Sequence, residues 1–170
     1  MKRLTSLLVM AAAALGPAGC GGNSSVPDTG GPEERVAEGT IRQTGGAPNV
    51  ETRLETDDGS IVLVGPLAAE LARAAGAVAR VRGISAGDDA PEAIQVDQYD
   101  LVSVDGLSPL VGMLDLEEGD LALRTEDGRN VELTGGSERM REASGSKVWV
   151  TTRDDGRSIV RWGILKSPGS

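Results

Sequence analysis

Four pairs of neighbouring carboxylates are the residues of this chain best suited by type to do chemistry: Asp57-Asp58, Asp88-Asp89, Glu126-Asp127 and Asp154-Asp155. Side by side, two carboxylates offer hard oxygen ligands to a divalent cation, or an acid and a base to a hydrolytic step. Their spacing argues against both. A calcium loop sets oxygen ligands at alternate positions and closes with a distant bidentate Glu, and none of the four pairs has that pattern. Three of the four precede a Gly, and Asp-Gly is the pair a hairpin turn selects because it accepts positive φ. The pairs are therefore expected to be turns, with no metal and no cofactor.

Hydroxyl nucleophiles are plentiful, but the sequence has no His. That removes the commonest general base, the usual ligand of catalytic zinc and every Ser-His or Cys-His arrangement. The expectation is a protein that is not an enzyme. The formal charge of −9 repels phosphate backbones, and the aromatic side chains are few, so nucleic acid is not an expected partner.

The single cysteine, Cys20, has no partner for an intramolecular disulfide, and its position matters more than its redox chemistry. Before it, Lys2-Arg3 and an apolar run to Leu15 form a segment too short to span a bilayer, with the layout of an export signal. The junction Gly16-Pro-Ala-Gly-Cys20 resembles the lipobox of bacterial lipoproteins, with Ala18 and Gly19 as its small residues and Pro17 where an aliphatic residue is usual. That resemblance implies lipidation of Cys20 after cleavage and a membrane contact through the lipid. A rival cut after Ala18 leaves a secreted protein with a free thiol. Residues 21–36, rich in Gly, Ser, Asn and Pro, read as a flexible tether behind the anchor.

Beyond the tether the chain is duplicated. Leu54, Thr56, Asp58 and Gly59 recur 69 residues later as Leu123, Thr125, Asp127 and Gly128, and Gly76 and Val81 recur as Gly145 and Val150. The match slips by one at Gly65 and Gly135. Alternating apolar residues and turn signals predict the order β-β-β-α-β-β in each copy. The predicted domains are residues 37–106 and 107–167, and the fold class is all-β with short helices. In the first copy the fifth strand changes phase between Val96 and Tyr99, which predicts a bulge or a bend.

This element order is similar to the OB fold, a small five-stranded barrel. Gly39, Leu54 with Asp58-Gly59, Gly65, Gly76 and Ala79-Arg-Val81-Arg-Gly83 resemble the turn and core positions of small exported OB-like domains of unknown function in bacterial envelope proteins. The resemblance implies two tandem five-stranded OB-like barrels on an envelope lipoprotein, and its motifs are silent on chemistry.

Binding residues follow from comparing third strands. Matching Val62 to Val131 turns Ile61 and Leu63 outward in the first copy, where the second carries Asn130 and Glu132. Two outward aliphatics call for a cover, either the other barrel or a partner. Trp149 falls opposite in phase to Val148 and Val150 and is the expected docking aromatic. The reading is a lipid-anchored module at the cell envelope that binds a protein or small ligand, with Ile61, Leu63 and Trp149 as its surface. The alternatives are a structural or stress-related accessory lipoprotein, and a binder of cationic ligands through its acidic surface.

Overall fold

The computed structural model describes residues 33–87 and 92–169; Cys20, the leader and Asp88-Asp89 lie outside the described residues. The first unit holds β1 (Glu34–Thr44), β2 (Glu51–Thr56), β3 (Gly59–Val64), α1 (Pro66–Ala72), β4 (Val78–Ser85) and β5 (Ala93–Ser103). The second holds β6 (Leu110–Glu117), β7 (Asp120–Thr125), β8 (Asn130–Leu133), α2 (Glu138–Glu142), β9 (Lys147–Thr152) and β10 (Ile159–Lys166). The protein is all-β with short helices, in two five-stranded sheets.

The first sheet closes on itself in the order β1-β2-β3-β5-β4. Closure depends on β1 serving two neighbours: residues Thr40–Thr44 pair with β2, and Glu34–Thr40 pair with β4. Where the strand changes partner, Gly39 lies so close to the Glu55 carbonyl that a Cβ would overlap it. Glu34–Val36, assigned from sequence to the tether, are part of this strand because β4 is long enough to pair with them. The barrel is completed by a short parallel contact of Val62–Val64 with Ala93–Gln95. On β5 the register passes from Gly83↔Val96 to Arg82↔Gln98, leaving Asp97 as the extra residue. This bulge brings Ile94 and Val96, and then Tyr99 and Leu101, to the buried side.

The phase of β3 corrects the sequence expectation. Leu54, wholly buried, pairs with Ile61, and Thr52 pairs with Leu63. Directly opposed residues share a face, so Ile61 and Leu63 point into the barrel, and Leu63 is buried in its core. The cause is the hairpin before the strand. In the first copy Thr56 pairs with Gly59, leaving a two-residue turn. In the second, the Thr125 amide donates to the Arg129 carbonyl and the Gly128 amide donates back to Thr125, which leaves three turn residues with Gly128 at φ +83. The extra residue therefore sits in this turn and not at Gly135. Ile61 is equivalent to Val131 and Leu63 to Leu133, because Leu123 pairs with Val131 and Leu121 with Leu133. A shift of one residue exchanges the two faces of a strand.

The second sheet runs β10-β9-β6-β7-β8 and is open, not closed as expected. Its ends, β8 and β10, meet only at the parallel bridge Thr134–Ser158. β8 has four residues, and Gly135-Gly136 turns the chain away before a second pair can form. Ser137 then caps α2, its hydroxyl accepting from the Met140 amide at 3.3 Å.

Two apolar clusters form the interior. One contains Ile41, Leu54, Leu63, Leu71, Val81 and Ile94; the other contains Leu114, Leu123, Leu133, Met140, Val148 and Val150. Leu165, although it lies on β10, is wholly buried in the first cluster. The two units are thereby packed together.

Candidate functional site

The residues brought together with the most chemistry lie where the two units meet. Along α1 and the turn after it, Leu67, Glu70, Leu71 and Ala74 are spaced i, i+3, i+4, i+7, so a carboxylate falls within the apolar stripe that faces the barrel. Glu70 is buried, and it is held there by two donors. The Tyr99 hydroxyl, from β5 beyond the bulge, donates to Glu70 Oε2 at 2.7 Å. Lys147 Nζ, from the first residue of β9 in the other unit, lies 3.3 Å from the same oxygen and 3.0 Å from Glu126 Oε1. The ammonium also stands 4.8 Å from the centre of the Tyr99 ring, within cation–π range.

Burial drives the Tyr99 phenol well above its ordinary range, and the hydrogen bond to Glu70 and the charges of Glu70 and Glu126 push it the same way. The hydroxyl therefore remains a donor. The Lys147 ammonium is shared between two carboxylates, so the set is a fastening in which each charge has its partner.

Around this polar centre the joint is apolar. Trp149 projects from the outer face of β9, opposite Val148 and Val150, and packs with Val111 against the first unit's core. Its indole lies over Gly163, its cross-strand neighbour, where a Cβ would stand 2.6 Å from Nε1. That Nε1 is buried without an acceptor among the described residues. Arg73, at the C-terminal cap of α1, donates to the Leu165 carbonyl at 3.1 Å, and Arg161 pairs with Asp105 across the connection between units. Between them a cleft of about 540 Å³ is lined by Arg73, Asp105, Trp149, Val160, Arg161 and Trp162, among others.

Of the residues expected to bind, Trp149 is at this joint. Ile61 and Leu63 are not. Leu63 is core, and Ile61 lines a separate hollow of about 470 Å³ whose rim includes Glu38, Asp57, Asp58 and Glu92. Cys20 lies outside the described residues.

Sequence reasoning missed Glu70, Tyr99 and Lys147, and read Glu126 as a turn residue only. The helical spacing that puts Glu70 among Leu67, Leu71 and Ala74 was the signal available for the first. It also passed over two short spacings associated with serine nucleophiles. Gly83-Ile-Ser85-Ala-Gly87 matches Gly-x-Ser-x-Gly, but Ser85 pairs with Ile94 inside the β4–β5 ladder, the described residues Ala86 and Gly87 after it are not helical, and the chain has no His. Ser144-Gly-Ser-Lys147 matches Ser-x-x-Lys, but Lys147 is turned to Glu70 and Glu126.

Two described acidic pairs carry turn geometry of their own. Asp127 is held low by the Thr125 hydroxyl and then by Arg129. Asp155 accepts from the Ser158 hydroxyl and from the amides of Ser158 and Arg157, both at 2.8 Å, and its carboxyl is lowered to about 2. Among the described residues no group of three or more Cys, Asp or Glu is placed to hold a metal ion. No protein-family model, no characterised protein and no solved structure matches the chain.

Proposed function

We propose that this chain is a lipid-anchored protein of the bacterial cell envelope, fixed at Cys20, whose two OB-like units act together as a non-catalytic binding or adaptor module for a protein partner. The observation that carries the reading is the joint. Glu70, Tyr99, Lys147 and Glu126 are spent on one another, and Trp149 and Leu165 are spent on packing. Tyr99 and the exposed Glu126 also line a hollow of about 210 Å³, but the buried Glu70 carboxylate is met by Tyr99 and Lys147, and the effect of the set is to hold two small β units in one orientation. A fixed orientation presents a composite surface to a partner. The strand order and the helix between third and fourth strands support the OB-like description of both units, the second with its barrel ajar. The leader, the junction at Ala18-Gly19-Cys20 and the polar tether support the anchor.

The test is to express the whole chain with its leader in a bacterial host and compare it with Cys20→Ser. The expected outcome is a membrane-bound protein whose intact mass carries lipid, released to the soluble fraction by the substitution, with a saturable cross-linked partner in the envelope. An unmodified Cys20 in a soluble protein would overturn the anchor, and the absence of any saturable partner would overturn the adaptor role.

A further inference from the structure

The two sheets differ at one seam. In the first, three residues of β3 pair with β5. In the second, β8 reaches β10 only at Thr134, whose amide and carbonyl bond to Arg157 and Ile159. Beyond that point, among the described residues, main-chain hydrogen bonds hold Val160 to Ile164 from the β9 side alone. A sheet edge left in this state is a template for another strand.

The space beside it is shaped for one. A hollow of about 390 Å³ lies against the edge, lined by Ser137, Arg139, Trp162, Gly163 and Ile164. Trp162 and Ile164, half-buried against the second core, form an apolar floor. Across the hollow stands Arg139 of α2, and Lys166 ends the strand; neither has a carboxylate partner among the described residues. In a chain with 26 acidic and 17 basic residues, most described cations are paired, so an unpaired guanidinium beside an open edge marks a site of opposite charge.

We propose that the free edge of β10 receives an extended segment of the partner protein as an added strand. The segment pairs main chain to main chain along Val160–Ile164, sets one aliphatic side chain on Trp162 and Ile164, and places an Asp or Glu at Arg139. Five residues of strand span about 16 Å at ~3.3 Å per residue, the scale of a short linear segment. A second copy of this chain is a poorer occupant, because joining two β10 edges brings the unpaired Arg139 of one copy towards that of the other. The assignment rests on the adaptor reading and names the surface it would use.

The experiment uses the full chain and an immobilised library of eight-residue peptides in which Val or Ile alternates with Asp, Glu, Lys or Thr. The expected result is selection of peptides carrying a carboxylate, with slowed amide exchange at Val160–Ile164 on binding. Methylating alternate peptide amides should weaken binding at least tenfold on one register and not on the other. Arg139→Glu, an exposed change, should weaken it at least tenfold at unchanged melting temperature, while Arg139→Lys keeps most of it. Binding that ignores amide methylation, leaves exchange on β10 unchanged, or is replaced by concentration-dependent pairing of the chain with itself overturns the proposal. A cross-linked envelope partner that binds Arg139→Glu as well as the native chain sinks the edge assignment and leaves the adaptor reading standing.

Discussion

Lys147→Ala is the most informative single perturbation of the joint. The Lys147 and Glu70 side chains are 20% and 12% exposed, so their interaction is mostly shielded from water. Exposed pairs contribute roughly 0–1 kcal/mol, whereas removing one partner of a buried pair costs about 3–5 kcal/mol through the charge left behind. Here the Tyr99 hydroxyl still donates to Glu70 after the lysine is gone, which places the expected loss near 2–3 kcal/mol. With a urea m-value of about 2 kcal/mol/M, the unfolding midpoint should fall by roughly 1 M or slightly more. Glu70→Gln keeps an acceptor for Tyr99 and removes the charge, and Lys147→Met keeps the apolar stem. The double variant should therefore be less destabilised than the two single changes added together, by about 1 kcal/mol or more. Additivity within roughly 0.5 kcal/mol would show that the two charges are not coupled and would refute the fastening.

Leu165→Ala should destabilise the full chain by about 3 kcal/mol through loss of a buried side chain and the cavity it leaves. Because Leu165 belongs to the first unit's core, hydrogen exchange should quicken in α1 and β5; quickening confined to β9 and β10 would contradict its placement. The Asp155 carboxyl lies near 2, below its ordinary value of 3.8. Its contribution is therefore present above pH 3.8 and lost as pH falls through about 2. Asp155→Ala should flatten that part of the acid unfolding curve, followed by the exchange of the Ser158 amide, and parallel acid limbs for the two proteins would argue against the turn hydrogen bonds.

The class and element order of this protein are legible in its sequence because they rest on local signals. Alternation in Val78–Ser85, the Pro66 start of α1, the Asp-Gly turns and the phase change on β5 each follow from a few neighbouring residues. The orientation of Ile61 and Leu63 was not legible, since it depends on whether one residue is added in a turn or after a strand. Both placements give the same tally between Gly59 and Gly65, and only the hydrogen bonds of Thr125, Gly128 and Arg129 distinguish them. The joint was half legible. Trp149 could be turned outward by counting from Val148 and Val150, but meeting Lys147 with Glu70 requires knowing how one sheet lies on the other. Leu165 falls out of phase with Trp162 and Ile164, at the residue where the β9–β10 register shifts, so alternation along β10 gives no sign that it is buried in the other unit's core. The open seam between β8 and β10 escapes local reading as well, because a strand's length fixes what it can pair with only after the helix that follows has been placed.

The burial of Leu165 in the first unit's core also bears on the order in which this protein takes shape. Chains are made from the N-terminus, and domains generally consolidate as they emerge. The first unit has all five of its strands once Ser103 has been made, yet the side chain that fills its core next to α1 arrives with the last strand of the second unit. Its consolidation thus waits on the tail of the chain. A premature stop after Gly156 would leave every hydrogen bond of the first sheet in place and still remove a wholly buried residue from its interior, so truncation at one end becomes a packing defect at the other.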